Sequence, residues 1–224
     1  MREAKARARS TPPLAAPQPR RGLGGFLASF RYAWDGVIET ALHQRNMRVH
    51  LVASILVALV GSGVRLGVPE ELALALCVFL VLSAEVANSA LEALVDLVTR
   101  ERHDLARRAK DAGAGAVLVL AAGSVAVLAL VVVRAWPAVT ADPAAVARQA
   151  ALGAPLVAAV SLLLAPFARP RAADAALVAA GAGALAALAW FTVSVVFTVL
   201  AALAFAVAAA AARRRARAVP ARAG

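Results

Sequence analysis

One cysteine, three histidines and thirteen acidic residues are all that 224 residues supply of the usual metal-binding and acid–base side chains. The scarcity of Cys and His excludes a zinc cluster, and the lone Cys77 has no partner in the chain; set in an apolar run, it reads as a small buried residue. No G-x-x-x-x-G-K-[ST] sequence occurs, so a P-loop is excluded, and there is no G-x-S-x-G to form a nucleophile elbow. Aromatic residues make up only 5%, too few for the girdles of a membrane β-barrel. Residues 1–22 lack the apolar core of a secretory signal peptide and, being rich in Arg, Ala and Pro, are predicted to form a disordered basic tail.

Hydrocarbon is what the chain has in quantity. Hydrophobic residues make up 62% and mean hydropathy is +0.77, and several stretches reach the roughly 20 residues that span a bilayer as helix. Abundant alanine favours closely packed helices, so the fold class is an all-α membrane protein. The net charge of +11 lies in short segments between apolar runs. With no soluble domain to carry a nucleic-acid surface, it reads as topology signal and contact to anionic lipid.

From Leu23 to His43, Phe26, Phe30, Ala33, Trp34, Val37, Ile38 and Ala41 recur at helical spacing with Arg31, Asp35 and Glu39 between them, which predicts a helix lying in the membrane interface. Spans are expected at 49–66 and 71–98, joined by a turn at Gly61, Gly63 and Pro69. A third is expected at 112–133, and a fourth at 146–165 after a loop at Pro137, Asp142 and Pro143. Residues 172–212 as one helix would be about 60 Å long against a hydrocarbon core of about 30 Å, so two spans are expected, broken near Trp190, Phe191 and Thr192. With six spans and both termini cytoplasmic, 21 of the 24 Lys and Arg fall inside, leaving Arg65, Arg134 and Arg148 outside. The expected organisation is a basic tail (1–22), a membrane domain with a surface helix and three spans (23–135), about three additional spans (136–212) and a basic cytoplasmic tail (213–224). No repeat relates the halves, and the second has only Asp142 and Asp174 as carboxylates, so chemistry belongs to the first.

Within the second span, E-V-A-N-S-A-L-E-A-L-V-D places Glu85, Asn88, Ser89, Glu92 and Asp96 where hydrocarbon is expected. At about 100° per residue, Glu85, Glu92 and Asp96 fall within roughly 20° of one direction. Each ionised carboxylate costs about 2.5 to 3.5 kcal/mol at the centre of a bilayer, so three on one helix need a cation, a partner charge or water. The stripe points toward the cytoplasmic end of its span, where Lys110 and Asp111 are expected to begin the third. A helix start with free N–H groups, the Lys110 charge and room at Gly113 and Gly115 would suit a phosphate. Carboxylates facing it could hold Mg²⁺, an arrangement fit for phosphoryl transfer. The same glycines would equally permit close helix packing.

Three stretches carry a family resemblance: L-V-L-S-A-E-V-A-N-S-A-L-E-A-L-V-D-L-V from Leu80, A-R-R-A-K-D-A-G-A-G-A-V-L from Ala106 and R-N-M-R-V-H from Arg45. Over about residues 26–133 the chain resembles the prokaryotic diacylglycerol kinase and undecaprenol kinase family. The resemblance implies a homotrimeric, multi-pass kinase of the bacterial inner membrane that phosphorylates a lipid hydroxyl with Mg·ATP at the cytoplasmic surface. By it, Glu85 is the general base, Asn88 and Asp96 are polar catalytic-site positions, and Glu92 is a Mg·ATP ligand. Lys110 and Asp111 form the nucleotide-contacting pair, Glu101, Arg102 and His103 a second nucleotide loop, and Tyr32 an aromatic of the surface helix near the nucleotide.

Eight residues after Gly36, where the family commonly places a second metal-binding glutamate, this chain has Gln44. The amide keeps an acceptor oxygen but loses the charge, so weaker metal binding is expected unless Glu39 contributes from an earlier turn. R-N-M-R-V-H resembles the undecaprenol branch more than the other, making undecaprenol the expected substrate and diacylglycerol the alternative. On the residues alone, Tyr32 as an interfacial anchor, His103 as an exposed loop residue and Asp96 as a solvated helix end stay open. Two other classes compete. An ion-coupled transporter would line its path with the stripe, but the carboxylates gather at one side and leave no through-path. A non-catalytic assembly would have Gln44 as its first sign of decay, against which stand Glu85, Asn88, Glu92, Lys110 and Asp111.

Overall fold

The computed structural model describes residues 23–167 and 169–218. The tail expected at 1–22 lies outside the described residues, as do 219–224. Among those described there are only helices: α1 (Leu23–His43), α2 (Arg45–Gly63), α3 (Val68–Val98), α4 (Asp104–Ala141), α5 (Pro143–Leu164), α6 (Arg171–Phe191) and α7 (Val195–Ala218). Helices α2 to α7 are each long and apolar enough to cross a membrane. The protein is an all-α membrane protein.

The chain divides into two compact units between Trp34 and Asp35. In the first, Phe26, Leu27, Phe30 and Tyr32 are exposed, and the Arg31 guanidinium lies 5.6 Å from the Tyr32 ring centre. In the second, Ile38 and Ala41 at the end of α1 are buried, so the apolar face read from the sequence has a partner there.

Helix ends follow local chemistry. Pro69 falls in the first turn of α3, where its missing N–H is no loss, and the α2–α3 turn contracts to Val64–Gly67. The break expected near Trp190 to Thr192 is found between Phe191 and Val195. The loop expected at Pro137 is not. Helix α4 runs through Pro137 to Ala141, and only Asp142 separates it from α5, its Oδ1 accepting from the Ala145 N–H at 2.9 Å with Pro143 next in line. A proline within a helix removes one backbone hydrogen bond, and the turn that follows is held by Thr140 Oγ1 donating to the Trp136 and Pro137 carbonyls at 3.0 and 3.1 Å. At its far end, α7 continues through Arg213, Arg214, Arg215 and Arg217.

Helix α3 packs chiefly against α4, whereas α2 makes its widest contacts with α7 and α5. The additional helices are thus built against the first span rather than set apart from it. Their junctions depend on small residues: the Phe197 ring occupies the space a Cβ at Gly61 would need, and the Phe205 ring does so at Gly181. Phe197, Leu156, Val160 and Leu163 are fully buried there with Leu51 and Ile55.

Candidate active site

Polar groups are arranged in three tiers along α3, from mid-span to its C-terminal end. Glu85 to Asp96 is eleven residues, about 16 Å of helix. Burial falls along it: Glu85 is 1% and Asn88 8% exposed, Glu92 is intermediate, and Asp96 is open.

In the deepest tier Glu85 Oε1 lies 3.3 Å from His50 Nε2 of α2. The alignment is too poor for a hydrogen bond, and this buried oxygen has no hydrogen-bond partner among the described residues. In the middle tier the Glu92 carboxylate accepts from two amides, Gln44 Nε2 at 2.9 Å and Asn88 Nδ2 at 3.1 Å. Gln44 stands at the break between α1 and α2 with an extended backbone (φ −92°, ψ 121°) and spends no side-chain bond on capping α2, which leaves its amide free to reach α3. Asn88 Oδ1 is buried without a partner. In the outer tier Lys110 Nζ donates to Asp96 Oδ1 at 2.5 Å, and Arg107 pairs with Asp111 at 2.9 Å on the next face of α4.

The sequence-predicted residues therefore divide. Glu85, Asn88, Glu92, Asp96, Gln44 and Lys110 share this arrangement, while Asp111 is drawn to Arg107. Glu101, Arg102 and His103 form the exposed link between α3 and α4; His103 caps α4 by accepting the Leu105 N–H at its Nδ1, and the Glu101 N–H donates to Thr99 Oγ1. Tyr32 belongs to the other unit.

One expectation is corrected. Lys110 and Asp111 do not open a helix, because α4 starts at Asp104, six residues or about 9 Å earlier. The run D-L-A-R-R-A-K-D is made mostly of good helix formers, and the cap at His103 fixes the start. Charge thus reaches the tier through the Lys110 side chain, without free N–H groups. Gly113 serves close packing: a Cβ there would overlap Asn88 Oδ1 and lie 2.9 Å from Leu91 Cδ2, whereas Gly115 has open space.

His50 is the residue sequence reasoning passed over. Its signal was present, since no other ionisable side chain follows it in α2, and α3 carries Glu85 at matching depth.

Among the described residues no three His, Cys, Asp or Glu side chains converge to cage a metal. Magnesium needs no such cage, because it keeps waters and binds through one or two carboxylates together with substrate phosphates. Glu92 and the unpartnered Asn88 Oδ1 are hard oxygen donors of that kind, and Gln44 can offer its amide oxygen by turning over. The residues fit a magnesium ion shared with a nucleotide.

Six helices of membrane-spanning length define a multi-pass membrane protein, with a carboxylate buried at mid-span of α3 and further oxygen donors nearer its end. Residues 31–132 match the model of the family described as prokaryotic diacylglycerol kinase. The undecaprenol kinase of Bacillus subtilis (strain 168) is 41% identical over 102 residues, covering 46% of this chain and 83% of that protein. A diacylglycerol kinase of Synechocystis is 44% identical over 102 residues, 45% of this chain and 58% of that protein, and the diacylglycerol kinase of Escherichia coli K12 is 34% identical over 88 residues, 39% and 72%. No solved structure matches. The chain belongs to the prokaryotic diacylglycerol kinase family and is by that membership a lipid kinase.

Proposed function

We propose that this protein transfers the γ-phosphoryl group of ATP to undecaprenol, forming undecaprenyl phosphate, with Mg²⁺ as cofactor, at the cytoplasmic face of the bacterial inner membrane and as a homotrimer. The observation that carries the reading is Glu85, a carboxylate buried at mid-span with one oxygen unpartnered. Such a group is costly in a bilayer unless it is used, and a hydroxyl arriving from the bilayer plane gives it a use.

In this reading the lipid hydroxyl gives its proton to Glu85 Oε1 as its oxygen attacks the γ-phosphorus and the bond to ADP breaks. His50, 3.3 Å from that oxygen without a hydrogen bond to it, is a positioning residue that limits where the carboxylate can turn. Lys110 exchanges Asp96 for a phosphate oxygen, and Asp96 steadies it between turnovers. Asn88 and Gln44 orient Glu92. Glu92 and Gln44 would hold a magnesium ion, which would supply charge neutralisation on the phosphates. The Glu101–His103 link before α4 and Asp111, seven residues after the helix begins, contact the nucleotide; the family resemblance assigns Tyr32 to the nucleotide as well.

Undecaprenol is favoured over diacylglycerol by R-N-M-R-V-H; the relatives named diacylglycerol kinase, one of them matched over as many residues as the Bacillus protein, support the alternative. The test is label transfer from radioactive ATP to each lipid in mixed micelles, with Mg²⁺ titrated and Glu85→Gln as control. Labelled undecaprenol, lost in the variant, is expected. Labelled diacylglycerol alone would reverse the substrate assignment. Folded protein that labels neither would sink the kinase reading in favour of a transport or assembly role.

A further inference from the structure

Between α2 and α5 runs a groove of about 510 Å³ that the catalytic tiers do not use, lined by Arg45, Arg48, Val52 and Leu56 of α2 and by Ser161 and Leu164 of α5. The α2 residues recur at helical spacing, so one face of that helix carries two guanidinium groups in its first turn and hydrocarbon below. Arg48 donates to the Leu42 carbonyl at 3.1 Å, and among the described residues neither arginine is ion-paired. A third cation stands behind them: Arg215 of α7 donates to the Leu163 carbonyl at 2.6 Å and to that of Ala165, holding the lip of the groove.

An apolar trough under a mouth with uncompensated positive charge fits an amphiphile with an anionic head and a long hydrocarbon tail. A phosphate monoester carries about −1.5 to −2 charges at neutral pH, which two unpaired guanidinium groups match better than they match the single charge of a phosphodiester lipid. The groove also shares α2 with His50, which faces Glu85 from another side of the helix. A lipid phosphorylated beside Glu85 would have only one helix to pass around to reach it. The α5 wall lies outside residues 31–132 that the family model matches.

We propose that the α2–α5 groove is a product site, built by the additional helices, that receives the phosphorylated lipid as it leaves the catalytic tiers. The proposal rests on the lipid-kinase reading for the nature of its ligand. The test is lipid retention by the full-length protein, measured by native mass spectrometry without ATP, using undecaprenyl phosphate, undecaprenol, phosphatidylglycerol and inorganic phosphate as separate probes. Undecaprenyl phosphate should be held about tenfold or more tighter than undecaprenol or phosphatidylglycerol. Arg45→Gln with Arg48→Gln should erase that preference, and Ser161→Phe, which fills the groove from α5, should lower retention with both arginines intact. Equal retention of phosphatidylglycerol would reduce the groove to an ordinary anionic-lipid contact. Displacement by inorganic phosphate alone, or retention unchanged in Ser161→Phe, would overturn the site. The label-transfer assay is read separately: transfer without retention sinks the groove and leaves the kinase, and retention without transfer does the reverse.

Discussion

Gln44 Nε2 donates to Glu92 Oε2 across 2.9 Å, tying the break between α1 and α2 to the middle of α3. A glutamate at 44 would place two carboxylates at that spacing, which repel unless a cation lies between them. Gln44→Glu is therefore expected to lower the melting temperature without magnesium and to gain more from adding it. Its half-saturating Mg²⁺ concentration for lipid phosphorylation should fall about tenfold. Melting curves with and without Mg²⁺ check the first effect and a Mg²⁺ titration of label transfer the second; a wild-type-like response in both would remove Gln44 from the metal site.

Glu85→Gln keeps the shape of the side chain and removes the proton acceptor. The expected loss in kcat is about 10²- to 10⁴-fold, the usual worth of a general base, with helicity and melting temperature retained. His50→Ala should cost less and act through the same group. Its defect should therefore largely vanish in the Glu85→Gln background, which a double-mutant cycle on kcat measures. Additive losses would make His50 independent of Glu85.

Gly113 and Gly115 separate packing from propensity on one helix. A side chain at 113 meets Asn88 and Leu91, while one at 115 meets nothing within 4 Å. Gly113→Val is expected to destabilise the α3–α4 contact by about 1–3 kcal/mol as an overpacked site and to disturb Asn88 beside Glu92. Gly115→Ala should be neutral or stabilise by up to about 1 kcal/mol. Unfolding in mixed micelles titrated with sodium dodecyl sulfate gives both values; equal effects would remove the packing role assigned to Gly113.

Most of this architecture could be read from the chain because bilayer thickness is a strict ruler. Spans, their number and the break near Thr192 follow from how much hydrocarbon a helix must cross. Glu85, Glu92 and Asp96 were equally legible, since helical periodicity alone puts them on one face. What could not be read was where α4 begins and whether Pro137 ends it. Both depend on local capping and on neighbours that hydropathy does not register: the cap at His103 sets the helix start six residues before Lys110, and Thr140 bonds back to the Trp136 and Pro137 carbonyls in the last turn of α4. His50 went unread for a related reason, because its meaning lies in a residue 35 positions away in sequence. The attachment of α5 and α7 to α2 left only a trace of small residues, since alanine-rich spans carry little to tell one packing partner from another.

Gln149 ties α5 to two other helix ends, its Nε2 donating to the Ser62 carbonyl at 3.1 Å and to that of Phe191 at 2.9 Å. It is 2% exposed, so replacing it by leucine strands the Phe191 carbonyl, while the Ser62 carbonyl keeps the Val193 N–H at 3.1 Å. Gln149→Leu is expected to cost about 1–3 kcal/mol for that one group. The α2–α3 and α6–α7 connections should lose protection in hydrogen exchange. Because these connections lie beyond the end of α3 opposite Glu92 and Asp96, kcat should hold at temperatures where the protein stays folded. A loss of kcat at full folding would show that the additional helices reach the tiers through α2.

Arg214 of α7 reaches back to α1, 3.3 Å from Asp35 Oδ1 and 3.6 Å from Glu39 Oε2, and also donates to the Asp35 carbonyl. These side chains are 43%, 43% and 58% exposed, so water and salt screen the pairs, and each is worth only about 0–1 kcal/mol. Glu39 is shared as well, since His43 lies 3.0 Å from its other oxygen. Arg214→Ala should leave the melting temperature nearly unchanged while raising hydrogen exchange at Asp35–His43. A cycle with Asp35→Asn should give a coupling of about 0.2–1 kcal/mol that shrinks as salt is raised. Unchanged exchange in Arg214→Ala would mean that packing at Ile38 and Ala41 holds the end of α1 without help from α7.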